Sequence, residues 1–113
     1  MKTIFLFIVL ILTAQSVQAK DTLLYFTASW CGPCQQMKPH FNDLEVKGLI
    51  SEYKYHEVDY NDKREYAKRW KISGPPTFII ASPVEGKKTL REHTRYVGYM
   101  SLKALKKFLK TEQ

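Results

Sequence analysis

Apolar and polar positions along the first half of the chain predict two elements. An apolar and aromatic run over residues 23–27 has the length and composition of a buried strand. Residues 35–46 keep apolar side chains at helical spacing, with Gly48 as the expected end of the helix. Pro39 lies inside this segment, and we expect it to kink the helix because proline removes a backbone donor.

The second half of the chain predicts three further strands and two helices. Residues 52–59 favour a strand, although they are more polar than a strand covered on both faces should be. Asp62 with Glu65 resembles a capping box that opens a helix to about residue 70. Residues 77–81 are the clearest strand, residues 88–97 return antiparallel to it, and Ser101 caps a last amphipathic helix.

The order of these elements predicts the fold class. A strand, a helix and a second strand form a right-handed crossover, which gives parallel strands. The later hairpin adds antiparallel pairing, and the last helix covers it. We therefore expect an α/β domain with a mixed central sheet flanked by helices.

The first nineteen residues differ from the rest of the chain. Lys2 gives a positive start, residues 4–12 are an unbroken apolar run, and small and polar residues follow as far as Ala19. This layout is typical of a secretory signal peptide, and the run is too short for a transmembrane helix. We predict cleavage near Ala19, a domain over residues 20–113, and a periplasmic or secreted protein. An uncleaved anchor and a buried first strand are the alternatives.

Composition and charge suit one small globular domain. The chain has 113 residues, 44% hydrophobic residues and a formal net charge of +7. The lysines of the last helix lie off its apolar stripe, which is typical of a solvated face, although an anionic membrane or an acidic partner would also fit them. Because no nucleic-acid motif accompanies the charge, we expect no nucleic-acid partner. We also expect a monomer.

Cys31 and Cys34 are the only cysteines of the chain. A bridge between them closes a very short loop, which constrains little of the unfolded chain, so a reactive pair is the better interpretation. At the start of a helix, unpaired backbone N–H groups should stabilise the Cys31 thiolate and lower the pKa of its thiol. We expect Cys31 to attack a disulfide and Cys34, one turn later, to resolve the product.

The segment Trp30-Cys31-Gly32-Pro33-Cys34 follows an apolar strand and opens a helix. It resembles the active-site motif of the thioredoxin family, and Pro39 is similar to the kink proline of that family's active-site helix. The resemblance implies a thioredoxin-like fold with Cys31 as nucleophile and Cys34 as resolving thiol. Trp30, Gly32 and Pro33 then form the active-site loop.

A second segment also resembles the family. Gly74-Pro75-Pro76, before the third strand, is similar to the family's cis-proline loop, and Gly98 is similar to a glycine that closes the last strand. The resemblance implies a cis bond between Pro75 and Pro76 and substrate binding at these four residues. Pro75 has no backbone N–H, so a substrate hydrogen bond to that group would be missing.

One position departs from the family's pattern. Tyr25 stands where thioredoxins usually carry a buried aspartate that assists proton transfer at the second cysteine, and Tyr55 aligns with that aspartate's usual lysine partner. An ordinary tyrosine pKa of about 10 makes Tyr25 a poor base near neutral pH. We expect either slower resolution by Cys34 or a substituted base such as Glu57.

Together these features predict an exported thiol–disulfide oxidoreductase that reduces disulfides in proteins. Such an enzyme needs no bound cofactor, but it needs an electron donor, for which a membrane thiol reductase is the expected class. Two other functions stay open: a Cu(I) carrier or metallochaperone that uses both thiolates, and a non-catalytic binding module. The histidines lack zinc-site spacing, so we expect no metal site of that kind.

Overall fold

The computed structural model describes residues 20–111, and the predicted signal peptide over residues 1–19 lies outside them. The elements in chain order are β1 (Thr22–Thr27), α1 (Gly32–Met37), a 3₁₀ helix (Lys38–Asn42), α2 (Leu44–Ser51), β2 (Lys54–Asp59), α3 (Arg64–Arg69), β3 (Thr77–Pro83), β4 (Leu90–Val97) and α4 (Leu102–Lys110). Within this part of the chain, no helix is both long and apolar enough to span a bilayer.

The strands of residues 20–111 form one mixed sheet in the order β2-β1-β3-β4. β1 pairs in parallel with β2 and antiparallel with β3, and β3 pairs antiparallel with β4. Residues 22–26 are all buried, because β1 has a neighbour on each side and helices on both faces. The predicted α/β class with a mixed sheet flanked by helices is confirmed.

Alternate residues of β1 point into two separate cores, as strand geometry requires. Leu23 and Tyr25 pack on the face that carries α1, α2 and α4, together with Met37, Leu105 and Leu109. Leu24 and Phe26 pack on the opposite face, together with Val58, Ala67 and Ile79. The sheet is therefore covered on both sides, which holds its strand ends in place.

The prediction of a single kinked helix over residues 35–46 is wrong. α1 ends at Met37, the 3₁₀ helix containing Pro39 follows, and α2 starts afresh after Asp43, whose Oδ1 accepts a hydrogen bond from the backbone N–H of Val46 at 3.1 Å. Gly48 does not end α2, which continues to Ser51. Leu49 and Ile50 pack against the core beyond the glycine, and this packing outweighs its low helix propensity.

The predicted capping box of Asp62 and Glu65 is also wrong. The residue before α3 is Lys63, and within the described chain its side chain makes no capping hydrogen bond. Asp59 orders this turn instead, because its Oδ1 accepts hydrogen bonds from the backbone N–H groups of Asn61 and Asp62 at 2.8 and 3.1 Å.

The polarity of residues 52–59 has a simple cause. β2 lies at an edge of the described sheet with one strand neighbour, so only Val58 of its six residues is buried and three are exposed. The predicted cap of the last helix is confirmed, since Ser101 Oγ accepts a hydrogen bond from the backbone N–H of Ala104 at 3.1 Å.

Candidate active site

The two cysteines lie where β1 gives way to α1. Cys31 is the N-cap residue, with extended backbone, and Gly32 and Pro33 begin the helix. Proline suits this first turn because its missing N–H has no partner to lose there. The backbone N–H of Cys34 donates a hydrogen bond to Cys31 Sγ at 3.1 Å. The Cys31 sulfur therefore occupies the place where a helix start stabilises negative charge.

Cys31 and Cys34 form a disulfide in this structure, with their Cα atoms 5.2 Å apart. Cys31 keeps 4% of its surface exposed, whereas Cys34 is fully buried. Of the two residues, only Cys31 therefore has surface that an incoming reactant can reach in this state. This arrangement suits nucleophilic attack by Cys31 and a later, internal attack by Cys34.

The surroundings of the disulfide include one residue that sequence reasoning missed. Ala28 forms a buried cluster with the two cysteines, and Tyr60 packs against this cluster. The ring of Trp30 is 62% exposed and meets the Tyr60 ring edge-on, with centroids 6.4 Å apart. Tyr60 directly follows β2, and parallel strands end at the same edge of a sheet, so its nearness to the cysteines could have been predicted from the strand order.

The predicted substrate loop is assembled around a cis peptide bond between Pro75 and Pro76, as the resemblance implies. Thr77 Oγ1 donates a hydrogen bond to the carbonyl oxygen of Gly74 at 2.7 Å, which closes the loop. Gly98, with φ of +105°, donates its N–H to the carbonyl oxygen of Pro76 at 2.8 Å. The four predicted substrate-binding residues are thus brought together.

The sheet places this loop at the same end as the cysteines. Phe26, near the end of β1, is the register partner of Thr77, the first residue of β3. β1 runs on into the cysteine segment, whereas β3 begins directly after Pro76. Antiparallel pairing therefore directs both segments to one end of the molecule, where a substrate could contact them together.

Tyr25 and Glu57, the predicted proton-transfer residues, are register partners on β1 and β2. Both line a cavity of about 560 Å³ together with Thr27, Tyr55 and Lys38. Burial raises the pKa of Tyr25, the hydrogen bond with the Thr27 side chain lowers it, and the negative charge of Glu57 raises it again. Burial, followed by Glu57 and Tyr25, raises the pKa of Tyr55 as well. Both phenols therefore stay protonated near neutral pH.

The ring of Tyr25 packs against two other aromatic rings. Its centroid is 4.5 Å from that of Phe78 and 5.1 Å from that of Phe41. Tyr25 belongs to the large core with Met37, whereas the cysteines form a separate cluster with Ala28. A role for Tyr25 or Glu57 in proton transfer stays a prediction. Within residues 20–111, no group of three or more His, Cys, Asp or Glu side chains is placed to hold a metal ion.

Comparison with known proteins gives consistent matches. The family model described as Thioredoxin matches residues 12–111. Thioredoxin H2-1 of Oryza sativa subsp. japonica is 37% identical over 62 residues, which cover 55% of this chain and 44% of that protein. A thioredoxin-like protein of Haemophilus influenzae is 34% identical over 84 residues, which cover 58% of this chain and 50% of that protein. The chain thus spans about half the length of the curated relatives it matches.

Solved structures give the same picture at the level of the fold. A thioredoxin from Thermus thermophilus superposes with a TM-score of 0.73 at 26% identity, covering 82% of this chain and 73% of that one. In this chain the cysteine pair lies at the start of α1 and the cis bond directly before β3, at one end of the mixed sheet. With the family model matching most of its length, the chain belongs to the thioredoxin family.

Proposed function

We propose that this protein is an exported thiol–disulfide oxidoreductase that reduces disulfides in other proteins. The observation that carries the proposal is the position of Cys31 Sγ at the start of α1, where it accepts the N–H of Cys34. A thiolate at such a position is stabilised and is the reactive form of cysteine. The small exposed surface of Cys31, 4% of the residue, and the complete burial of Cys34 support first attack by Cys31 and later resolution by Cys34.

The electrons and sulfur bonds balance in two steps. In the reduced protein, the Cys31 thiolate attacks one sulfur of the substrate disulfide, forming a mixed disulfide and releasing one substrate thiolate. Cys34, as a thiolate, then attacks Cys31 Sγ, releasing the second substrate thiolate and forming the Cys31–Cys34 disulfide. Two electrons pass to the substrate. A donor dithiol then reduces the protein by the same exchange in reverse.

The proposal includes two further statements: the protein is exported, and its reaction runs in the direction of substrate reduction. The charged, apolar and small-residue pattern of residues 1–19 supports export. In an oxidising compartment the disulfide form would accumulate unless a donor reduced it, and a membrane thiol reductase is the class of donor we propose. Determination of the N-terminus of the protein after expression in a secreting cell tests export. We expect it to begin at Lys20, and an intact Met1 on the secreted or periplasmic protein would contradict cleavage and favour the uncleaved anchor, whereas an intact Met1 with the protein retained inside the cell would contradict export.

The central experiment measures reduction of insulin by the purified protein with dithiothreitol as donor. We expect turnover by the unchanged protein, none by Cys31→Ser, and a stable mixed disulfide through Cys31 in Cys34→Ala. Trp70→Phe is the control for general disturbance, because Trp70 packs on the α3 face of the sheet away from the cysteines. Absence of turnover and of any trapped disulfide would overturn the proposal.

Two further measurements separate the remaining functions. Equilibration with glutathione gives the reduction potential, and a potential below that of glutathione is expected for a reductant. Anaerobic titration with Cu(I) tests the copper-carrier alternative, which predicts tight binding together with loss of exchange activity. A pure binding module would retain its biological activity in Cys31→Ser, and that result would contradict the oxidoreductase proposal.

A further inference from the structure

Tyr60 occupies a defined place between the sheet and the disulfide. It follows the last residue of β2, and its backbone N–H donates a hydrogen bond to the carbonyl oxygen of Thr27 at 2.8 Å. This bond ties the ends of β1 and β2 together, so the main chain of Tyr60 is held by the sheet. Its half-buried side chain packs against the cluster of Ala28, Cys31 and Cys34 and also against the core on the α3 face of the sheet, on which Tyr66 packs as well.

The same ring also supports Trp30. The two rings meet edge-on, with centroids 6.4 Å and planes 77° apart, which is a favoured geometry for aromatic pairs. Trp30 is 62% exposed, so burial alone does not fix its orientation. Within residues 20–111, Tyr60 thus combines an edge-on ring contact with Trp30 and packing against the cluster that contains both cysteines.

We propose that Tyr60 is a positioning residue for disulfide exchange: its ring holds Trp30 at the rim of the site and covers Cys34. This inference rests on the proposed function. It adds the residue that keeps Cys34 less accessible to a reactant than Cys31. Because Cys34 is covered, the first attack passes through Cys31. Because Trp30 is held in one orientation, the substrate meets a fixed surface beside that sulfur rather than a mobile ring.

The chain contains a matched control for this contact. Tyr66 and Trp70 form a second tyrosine–tryptophan pair, with centroids 6.5 Å and planes 73° apart. This pair packs on the α3 face of the sheet with Phe26, in the core that excludes the cysteines. A loss that arises from general loosening of an aromatic contact should follow a change at Tyr66 as well as a change at Tyr60.

The first test compares Tyr60→Leu with Tyr66→Leu in insulin reduction. We expect Tyr60→Leu to lower kcat/KM about tenfold, mainly through KM, since a small misplacement of a contacting group is costly. Tyr66→Leu should leave kcat/KM nearly unchanged. Tyr60→Phe keeps the ring and should restore the parent value. An equal loss in both leucine variants, or no loss in Tyr60→Leu, would overturn the inference.

The second test does not depend on turnover. In a Cys31→Ser background Cys34 is the only thiol, and its alkylation by iodoacetamide reports how well it is covered. We expect Tyr60→Leu to accelerate this alkylation about tenfold, because buried thiols are shielded from reagents. Tyr60→Phe and Tyr66→Leu should match the parent. An unchanged rate in Tyr60→Leu would show that the ring does not cover Cys34.

These readouts also separate the inference from the proposed function. If the unchanged protein reduces no disulfide, the proposed function fails, while the alkylation of Cys34 still reports on covering by Tyr60.

Should Tyr60→Leu fail to fold, as judged by circular dichroism, Tyr60→Met fills the volume with a flexible side chain and serves as the second variant. Trp30 emission, read in a Trp70→Phe background, should change in Tyr60→Leu and stay at the parent wavelength in Tyr60→Phe.

Discussion

The backbone N–H of Gly98 donates a 2.8 Å hydrogen bond to the carbonyl oxygen of Pro76, joining the end of β4 to the loop of residues 74–77. Gly98 has φ of +105°, a conformation that residues with a Cβ rarely adopt. A methyl group added at Gly98 would have open space around it within the described part of the chain, so a substitution there strains only the backbone. The geometry of the loop of residues 74–77 therefore depends on a glycine far from it in sequence.

Gly98→Ala should destabilise the protein and weaken substrate binding together. We expect a loss of about 1–3 kcal/mol in the free energy of unfolding, the usual cost of a strained backbone position. The KM for insulin should rise because a shift of the strained backbone at residue 98 weakens its hydrogen bond to the carbonyl oxygen of Pro76. Urea unfolding and steady-state reduction measure the two effects.

Gly48→Ala is the matched control, since Gly48 lies inside α2 and has open space for a Cβ. Alanine has the higher helix propensity, so this change should stabilise the protein by about 0.5–1 kcal/mol and leave KM unchanged. Equal effects of the two substitutions would show that the backbone conformation at Gly98 carries no special weight.

The reduced protein should react with iodoacetamide at Cys31 well below the pH at which a free thiol reacts. The hydrogen bond from the Cys34 N–H and the start of α1 favour the thiolate. The pH of half-maximal rate should therefore lie below about 8.5, the pKa of an unperturbed thiol. Mass spectrometry after partial alkylation identifies the modified residue. A half-maximal pH at or above that of free cysteine would contradict the assignment of Cys31 as nucleophile.

Glu57→Gln tests whether a carboxylate takes over from the aspartate that the family places at Tyr25. Glu57 lines the cavity beside Tyr25, whose raised pKa keeps its phenol protonated. If Glu57 accepts the proton of Cys34, the glutamine variant should resolve mixed disulfides several-fold more slowly, as seen by rapid mixing. An unchanged rate would remove Glu57 from the mechanism.

Tyr25→Phe is the companion variant. Phenylalanine keeps the stacking on Phe78 and Phe41, so the fold should survive the change. A normal resolution rate in Tyr25→Phe combined with a slow rate in Glu57→Gln would assign proton transfer to the carboxylate. The opposite pair of results would indicate that the Tyr25 hydroxyl assists resolution as a hydrogen-bond donor and that Glu57 is not needed.

The stability of the β4 strand should depend on pH through Glu92. Arg95 donates an Nε hydrogen bond to Glu92 Oε2 at 2.8 Å, and this bond lowers the pKa of the Glu92 carboxyl. Since the folded pKa lies below the unfolded value, the stabilisation is complete above the unfolded pKa of about 4.3 and is lost as the pH falls through the folded pKa.

We therefore expect Glu92→Gln to unfold at lower urea than the parent at pH 7, with the difference closing near pH 3. Glu65→Gln is the control, because Glu65 pairs with Lys68 at 3.5 Å on a strongly exposed surface and should contribute little. A difference between Glu92→Gln and the parent that persists unchanged to pH 3 would contradict the ion-pair explanation.

Asp43→Ala should destabilise the protein by about 1 kcal/mol, because Asp43 caps α2 through the backbone N–H of Val46. Asp43 Oδ1 also lies 3.5 Å from Lys106 Nζ on α4, which adds a contact between the two helices. Asp62→Ala, at the position that the sequence pattern wrongly suggests as a cap, should be nearly neutral. Urea unfolding of both variants decides, and an equal loss would restore the capping role of Asp62.

The parts of the structure that sequence reasoning predicted correctly depend on neighbours in the chain. Local backbone chemistry predicts the position of Cys31 at the start of α1 and the cap at Ser101. It also predicts that regular secondary structure is interrupted at residues 74–76. The break between α1 and α2 was not foreseen, because apolar residues keep helical spacing across it and hide the cap at Asp43. Strand order and the contacts of Tyr60 depend on residues far apart in sequence, so periodicity carries no signal for them.

The central place of β1 has a consequence for how the molecule is made. Both strands that pair with β1, namely β2 and β3, come later in the chain. During synthesis β1 emerges first, yet its antiparallel neighbour is missing until the ribosome has passed Pro83. Until then, residues 22–26, which are all buried in the finished fold, lack the strand that covers one of their two edges. The first strand of the described sheet to be made is thus completed on both edges only after β3 has been made. The time between the two is the interval in which an unpaired strand edge favours aggregation and a chaperone would protect the nascent chain.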